Sequence, residues 1–543
     1  MSDQPTGANH PRAAIWLGFI LMCLGMFMAI LDIQVVATSL PAIQHALAIP
    51  PDAMSWIQTA YLIAETIAIP LTGWLTRVLT LRWLFVSAIS LFTFASVGCA
   101  FSDGFSALVG FRILQGFAGG TLIPAVFSAV FLLFPLRLHA VATTMAGIMA
   151  VLAPTVGPVT GGWITETFSW HWLFLINVAP GLIAAIAAPF LLPREKLDLG
   201  ELARLDVISL ALLAIALATL EIALKQAPLR GWLSPFSIAL FVLSAAAALL
   251  FAKRTLRAAC PVVELTTLGA RSFAIGCALS FCLGVGLFGS VYLMPVFLAY
   301  VRRHDAFEIG VIMLVTGSAQ LIAAPIAGTL ESRRDPRWLS ALGFALFALG
   351  LGCSAFQSRT ADFDAMFWPQ ALRGIAIMFC LLPPTRLALG ALAAAQVPDA
   401  SGLFNLMRNL GGAIGIALID TILYGRTTGH ALALRDRLLA GDANAARAIG
   451  LDVELFLHRP AGVSNATAEA YVRPMVEKAA FALSVNEAWA LLACVALLGL
   501  MLIPFAGRLP EAVNERRNEH QDFETASLPH ADNSMTIRCS GFD

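Results

Sequence analysis

The chain reads as a succession of apolar runs of about twenty residues, broken by short polar or basic stretches. A helix of that length reaches across the hydrocarbon core of a bilayer. About fourteen such runs fall near 15–40, 55–76, 83–101, 105–126, 140–163, 172–192, 206–225, 233–252, 271–299, 306–330, 338–356, 366–392, 401–424 and 486–507. The pattern divides the chain further. A polar tail at 1–14 precedes a six-helix bundle at 15–195. An inserted two-helix linker occupies 196–270. A second six-helix bundle is made of 271–425 and 486–507, interrupted by a long loop at 426–485. A polar tail at 508–543 follows, for which disorder is expected. In the long loop, Ala431 to Leu439 alternates faces at helical spacing, so helices are expected there, as a cap or as a docking surface.

Composition agrees with the pattern. Only 13% of the 543 residues are charged and 59% are hydrophobic, against roughly 25% charged in a soluble globular protein. Mean hydropathy is +0.80. The expected fold class is therefore an all-α polytopic membrane protein. The first apolar run is too long for a cleaved signal peptide. A net charge of zero gives no support for nucleic-acid binding. The nine cysteines are scattered without a CxxC pair, so neither a metal site nor a disulfide framework is expected. No enzyme is indicated, and no P-loop is present, which argues against ATP as the energy source.

The basic residues of the loops are unevenly shared. One alternating set of loops and tails holds Arg12, Arg77, Arg82, Arg137, Arg194, Lys196, Arg204, Lys253, Arg254, Arg257, Arg271, Arg333, Arg334, Arg337 and Arg508. The other holds only Lys225, Arg230, Arg302, Arg303 and Arg359. This bias places both termini in the cytoplasm.

Two halves of the chain resemble each other. Phe111-Arg112-Ile113-Leu114-Gln115-Gly116 recurs loosely around Arg373-Gly374, and Pro70 to Leu75 recurs as Pro325 to Leu330. The matched pairs lie about 260 residues apart. Repeated halves that rock about a midplane site are the architecture of alternating access.

A few ionisable residues interrupt the apolar runs. Charge inside a bilayer is costly, so such residues face water or a partner inside a bundle. Asp32, Glu65 and Arg112 are the candidates for proton coupling, with Arg112 tuning the acids. A carboxyl in dry surroundings binds protons nearer physiological pH, as a proton carrier requires. Structural hydrogen bonding is the alternative for each acid, and helix locking for Arg112. Gln58, Tyr61 and Glu65 share one helix face. Gln34, Gln58, Tyr61, Tyr292, Arg373 and Asn405 are candidate contacts of a substrate pocket. Arg408 reads as near enough to a span end to snorkel to water. Asp420 and Glu221 read as outer-end acids that reach solvent.

Four stretches carry a family resemblance. They are Leu31-Asp32-Ile33-Gln34-Val35-Val36 with Ser39-Leu40-Pro41, then Arg112 to Gly116, then Gly157-Pro158-Val159-Thr160-Gly161-Gly162, then Ser401 to Gly412. Together they resemble the fourteen-span drug:proton antiporters of the major facilitator superfamily, in particular the permeases of tripartite multidrug pumps. The third stretch, with Gly157, Pro158, Gly161 and Gly162, resembles that family's antiporter motif. One departure stands out. The family's loop Gly-x-Leu-Ala-Asp-Arg-x-Gly reads here Gly73-Trp74-Leu75-Thr76-Arg77-Val78-Leu79-Thr80, with a base at the acidic position and threonine at the second glycine. The resemblance implies the major facilitator fold, two six-helix bundles plus two inserted helices. It implies proton-driven export of lipophilic toxic compounds from the bacterial inner membrane, without a cofactor. It further implies a periplasmic adaptor and an outer-membrane channel as partners. An exporter of one metabolite or siderophore, or an uptake symporter on the same fold, are the alternatives.

Overall fold

The structure, a computed structural model, describes residues 12–48, 54, 56–195, 206–258, 261–390, 392–452 and 466–507. The tails at 1–11 and 508–543, the stretch with Lys196 and Arg204, and part of the expected loop at 453–465 lie outside the described residues.

Long helices make up nearly all of it. The first is α1 (Arg12–Ala46). A single helical run, Trp56–Ala100, follows and is broken at Thr80, whose φ is 64° and ψ 160°. It is therefore two spans, α2 (56–79) and α3 (81–100). Then come α4 (Phe105–Leu133), α5 (His139–Thr167) and α6 (Trp172–Leu191). The inserted pair is α7 (Val207–Arg230) and α8 (Pro235–Thr255). The second set is α9 (Arg271–Phe297), α10 (Ala306–Arg333), α11 (Pro336–Ser354), α12 (Phe363–Leu389), α13 (Val397–Leu439) and α14 (Ala466–Leu502). Among the described residues, thirteen helical runs are long and apolar enough to cross a membrane, with 56–100 counted as one. The break at Thr80 brings the crossings to fourteen.

Two boundaries differ from expectation. The helices expected within 426–485 are longer than the spacing suggested, among the described residues. α13 continues to Leu439 and α14 already begins at Ala466, with a short helix, Ala443–Ile449, between them. The reason is a small core of its own: Leu434, Ile449, Val476, Ala479 and Ala480 are buried together. At 1.5 Å per residue, the 43 residues of α13 span about 64 Å, roughly twice the hydrocarbon thickness of a bilayer. The α13–α14 hairpin therefore marks one end of the bundle, and the α2–α3 turn marks the other.

Each half packs its own core. Phe19, Phe85, Phe92 and Val126 lie in one core, and Phe297, Phe344, Phe347 and Trp489 in the other. Large apolar side chains also cover the outside, among them Phe190, Leu249, Trp338 and Trp368. A soluble fold would bury such a surface, whereas lipid accepts it.

The halves meet along α5 and α10 and along α2 and α13. Gly317 of α10 faces the Thr155 side chain so closely that a Cβ would overlap it, and Gly402 of α13 packs 2.9 Å from the Ile69 carbonyl by the same measure. Small residues allow such close contacts between membrane helices.

Candidate functional site

The core of the first half holds a buried polar network, in which Arg112 Nη2 is left without a hydrogen-bond partner among the described residues. Arg112 on α4 is fully buried and its Nη1 donates to Asp32 Oδ2 on α1. The same nitrogen donates to Gln115 Oε1 at 2.8 Å. Gln115 Nε2 donates to Asp32 Oδ1 at 2.9 Å and to Ser96 Oγ of α3 at 2.8 Å. Asn177 Nδ2 of α6 donates to Asp32 Oδ1 at 2.9 Å. Arg112 Nε reaches the Ile57 carbonyl at 3.2 Å. The guanidinium lies 4.2 Å from the Tyr61 ring centroid and 5.9 Å from that of Phe174. The acid thus receives three donors from two helices, and charge-assisted bonds of this kind offset part of the desolvation cost.

Local sequence explains how α2 reaches this network. Arg112, Gln115, Gly116, Gly119 and Gly120 fall within little more than two turns of α4. A Cβ at Gly116 would overlap the Tyr61 carbonyl, and one at Gly120 would come within 2.9 Å of the Glu65 Cα. The glycines therefore admit α2 against α4, with Tyr61 and Glu65 one turn apart on the approaching face. Tyr61 then donates its hydroxyl to the Ala29 carbonyl at 3.1 Å.

Glu65 is only 2% exposed. Among the described residues no hydrogen bond reaches its carboxylate. Its chain neighbour Thr66 donates to Glu221 of α7. The three expected coupling residues are all interior, but they are not one cluster. Arg112 is committed to Asp32, because Asp32 offers two oxygens and both are already shared among Arg112, Gln115 and Asn177. Glu65 stands apart, facing α7 and α13.

Two acids expected to reach water are half-buried and also partnered. Glu221 accepts from Thr66 Oγ1 at 3.2 Å, which ties α7 to α2 next to Glu65. Lys225, one turn on, donates to Thr59. Asp420 accepts from the Tyr292 hydroxyl at 2.7 Å. Trp232 donates to Thr421 of α13 at 2.9 Å. The inserted helices are thus not a bare linker, since α7 and the turn after it bind both halves. Arg408 does not snorkel either. It is 8% exposed, donates to Asn405 and sits 5.7 Å over the Phe127 ring of α4.

The remaining expected residues are dispersed. Gln34 and Gln58 are half-buried. Gly157 faces Gln34 so closely that a Cβ would overlap it. Gly161 offers its carbonyl to Ser39 at 3.4 Å and to Thr165 at 2.7 Å. Pro158 and Gly162 are buried in α5. This motif therefore seats α1 against α5. Asn405 donates to the Ser401 carbonyl at 2.8 Å. Arg373 and Tyr292 lie in the second half. Gln115, Ser96 and Asn177 were not singled out from the sequence. Gln115 had a legible signal, three residues after Arg112, and Asn177 is a lone amide in an apolar span.

At the α2–α3 turn end, Arg77 pairs with Asp399, the third residue of α13, and donates to the Pro261 carbonyl at 3.0 Å. Ser401 donates to the Pro124 carbonyl at 3.0 Å. These contacts hold the halves together at this end.

Two repeated helical halves, the first with a buried ion pair in its core, wrapped in an exposed apolar surface, define a multi-pass membrane carrier. The chain belongs to the Major Facilitator Superfamily, whose family model matches residues 22–416. It is 37% identical over 423 residues to the colistin resistance protein EmrB of Acinetobacter baumannii, covering 78% of this chain and 83% of that one. It is 29% identical over 489 residues to the multidrug export protein EmrB of Escherichia coli K12, covering 90% and 94%. The solved proton:xylose symporter XylE shares the fold, with a TM-score of 0.55 at 14% identity, covering 92% of this chain and 97% of that one.

Proposed function

We propose that this carrier exports lipophilic toxic compounds in exchange for protons. The observation that carries the reading is the buried Asp32–Arg112 pair, with a second buried acid, Glu65, separate from it in the same half. A proton on Asp32 weakens a charge-assisted bond and loosens α1 from α4. A proton on Glu65 removes a charge that an incoming cation would otherwise neutralise. Competition of proton and substrate for the same carboxylates is what exchange requires. The names of the relatives, resistance and multidrug export proteins, support export over uptake.

The basic loops favour cytoplasmic termini in an inner membrane. In that orientation the α13–α14 hairpin faces outward, where an adaptor protein leading to an outer-membrane channel would meet it. The reading is of a carrier and not an enzyme.

The test is drug efflux from energised cells, with and without an uncoupler, for wild type, Asp32→Asn and Glu65→Gln. Uncoupler-sensitive efflux that falls at least tenfold in Asp32→Asn is expected. Efflux that survives loss of the proton gradient rejects proton coupling, and normal efflux in both variants rejects these acids as its carriers. A growth-inhibition panel in cells lacking the protein separates broad export from export of one metabolite.

A further inference from the structure

The two halves repeat, so each buried group in the first has a counterpart position in the second. Arg373 on α12 matches Arg112 on α4. Each guanidinium lies over an aromatic ring from the sixth helix of its half, Phe174 for Arg112 and Trp489 at 5.2 Å for Arg373. On the first helix of each half, Arg112 meets Asp32, but Arg373 meets the Met294 sulfur at 3.7 Å. On the second helix, Tyr61 is matched by Thr316, whose hydroxyl accepts from Arg373 Nη2 at 3.0 Å.

The second copy of the site has thus lost its acid. Among the described residues no carboxylate lies within ion-pair distance of Arg373, which is 2% exposed. Its Nε and Nη1 have no hydrogen-bond partner among the described residues, and neither do Gln370 Nε2 and Trp489 Nε1. The orientation of the Gln370 amide follows from its neighbour. Thr316 already accepts from Arg373, so its own proton goes to Gln370 Oε1, at 3.0 Å, and the amide N–H groups stay unspent. Gln370 is one turn from Arg373 on the same face of α12.

Arg373 Nε and Nη1, Gln370 Nε2 and Trp489 Nε1 are all donors, and the one charge among them is positive. A buried cation of this kind costs several kcal/mol unless it is neutralised. Donors alone cannot hold a cation, but they suit an anion.

We propose that Arg373, Gln370 and Trp489 form a binding site for a small monovalent anionic group, either chloride or the carboxylate of an acidic transported compound. The site takes in the second half the charge that Asp32 supplies in the first. The two halves then differ in kind, one carrying a built-in anion and the other accepting a mobile one.

The test uses the full chain, purified into lipid nanodiscs, with radiolabelled chloride binding measured at constant ionic strength against gluconate. Saturable binding is expected in wild type. Gln370→Leu, which keeps the guanidinium, weakens it about tenfold, as the loss of one bond to an anion predicts. Arg373→Met abolishes it, and the variant folds because it removes an unneutralised buried charge. Unlabelled 2-naphthoate then separates the two sources. Displacement of chloride assigns the site to substrate carboxylates as well, whereas chloride held against naphthoate makes it an inorganic ion site. Naphthoate bound without chloride, and lost in Arg373→Met, assigns it to carboxylates alone. The proposal is overturned if wild type binds neither anion, or if Arg373→Met binds them as wild type does. None of these measurements needs transport, so they succeed or fail apart from the export reading.

Discussion

Arg77 at the end of α2 is paired with Asp399 at the start of α13, and the pair joins the two halves of the carrier at the α2–α3 turn end. Asp399 is 1% exposed. Gly73 makes room for it, because a Cβ there would overlap Asp399. Removing one partner of a buried pair costs about 3–5 kcal/mol, less here because Arg77 is about one-third exposed. Arg77→Asp is expected to open this end and to raise cysteine-labelling rates there severalfold. The double variant Arg77→Asp with Asp399→Arg is expected to recover most of the wild-type rate. A double variant as open as the single one would show that packing, not charge, closes the gate.

Thr80 occupies a backbone region that glycine alone adopts without strain. Its hydroxyl is also buried without a partner among the described residues. Relief of that strain outweighs the extra entropy of glycine, so Thr80→Gly should stabilise the protein by about 1 kcal/mol. A rise in the thermal midpoint in detergent checks this. A lower midpoint would mean that the Thr80 side chain contributes packing greater than the strain.

Glu221 and Lys225 sit one turn apart on α7 and both engage α2. Each offsets the other's charge in a half-buried setting. Lys225→Met alone leaves Glu221 beside Glu65 with no cation from its own helix, and export should fall severalfold. Adding Glu221→Gln should restore part of it, with a coupling of about 1 kcal/mol between the sites. Strictly additive losses would sink the idea that the pair acts as a unit.

His304 ties the start of α10 to the start of α12, outside the membrane-spanning segments. One ring nitrogen lies 2.8 Å from Glu308 and the other 3.1 Å from Asp362. Partial burial disfavours the imidazolium, but the bonds to Glu308 and Asp362 outweigh it and hold its pKa above 6.5. For Asp362, burial is outweighed by the Arg302, Phe363 and His304 contacts, which hold the carboxyl below its usual value. The histidine's contribution is complete below about pH 6.5 and is lost as pH rises through the raised value. The aspartate's is complete at neutral pH and is lost only under acid conditions. The thermal midpoint should therefore fall by about a degree or two more between pH 6 and 8 in wild type than in His304→Gln. Equal slopes would remove the linkage.

The sequence by itself determined the number of spans, their helical nature, the repeated halves and the interior place of Asp32, Glu65 and Arg112. Each of these follows from local composition: an apolar run long enough to cross lipid must be a helix, and a charge within it must turn inward. The partners of those charges came only with the tertiary structure. That Arg112 takes Asp32 and not Glu65, that Gln115 and Asn177 complete the pair, and that Glu221 reaches Thr66 across 155 residues are set by which helix faces meet. Glycine positions on α4 and α13 fix those faces by letting particular backbones come close. A glycine in the sequence announces that something approaches, but not what does. For the same reason the missing acid beside Arg373 could not be read along the chain, because the absence lies on α9 and its consequence on α12.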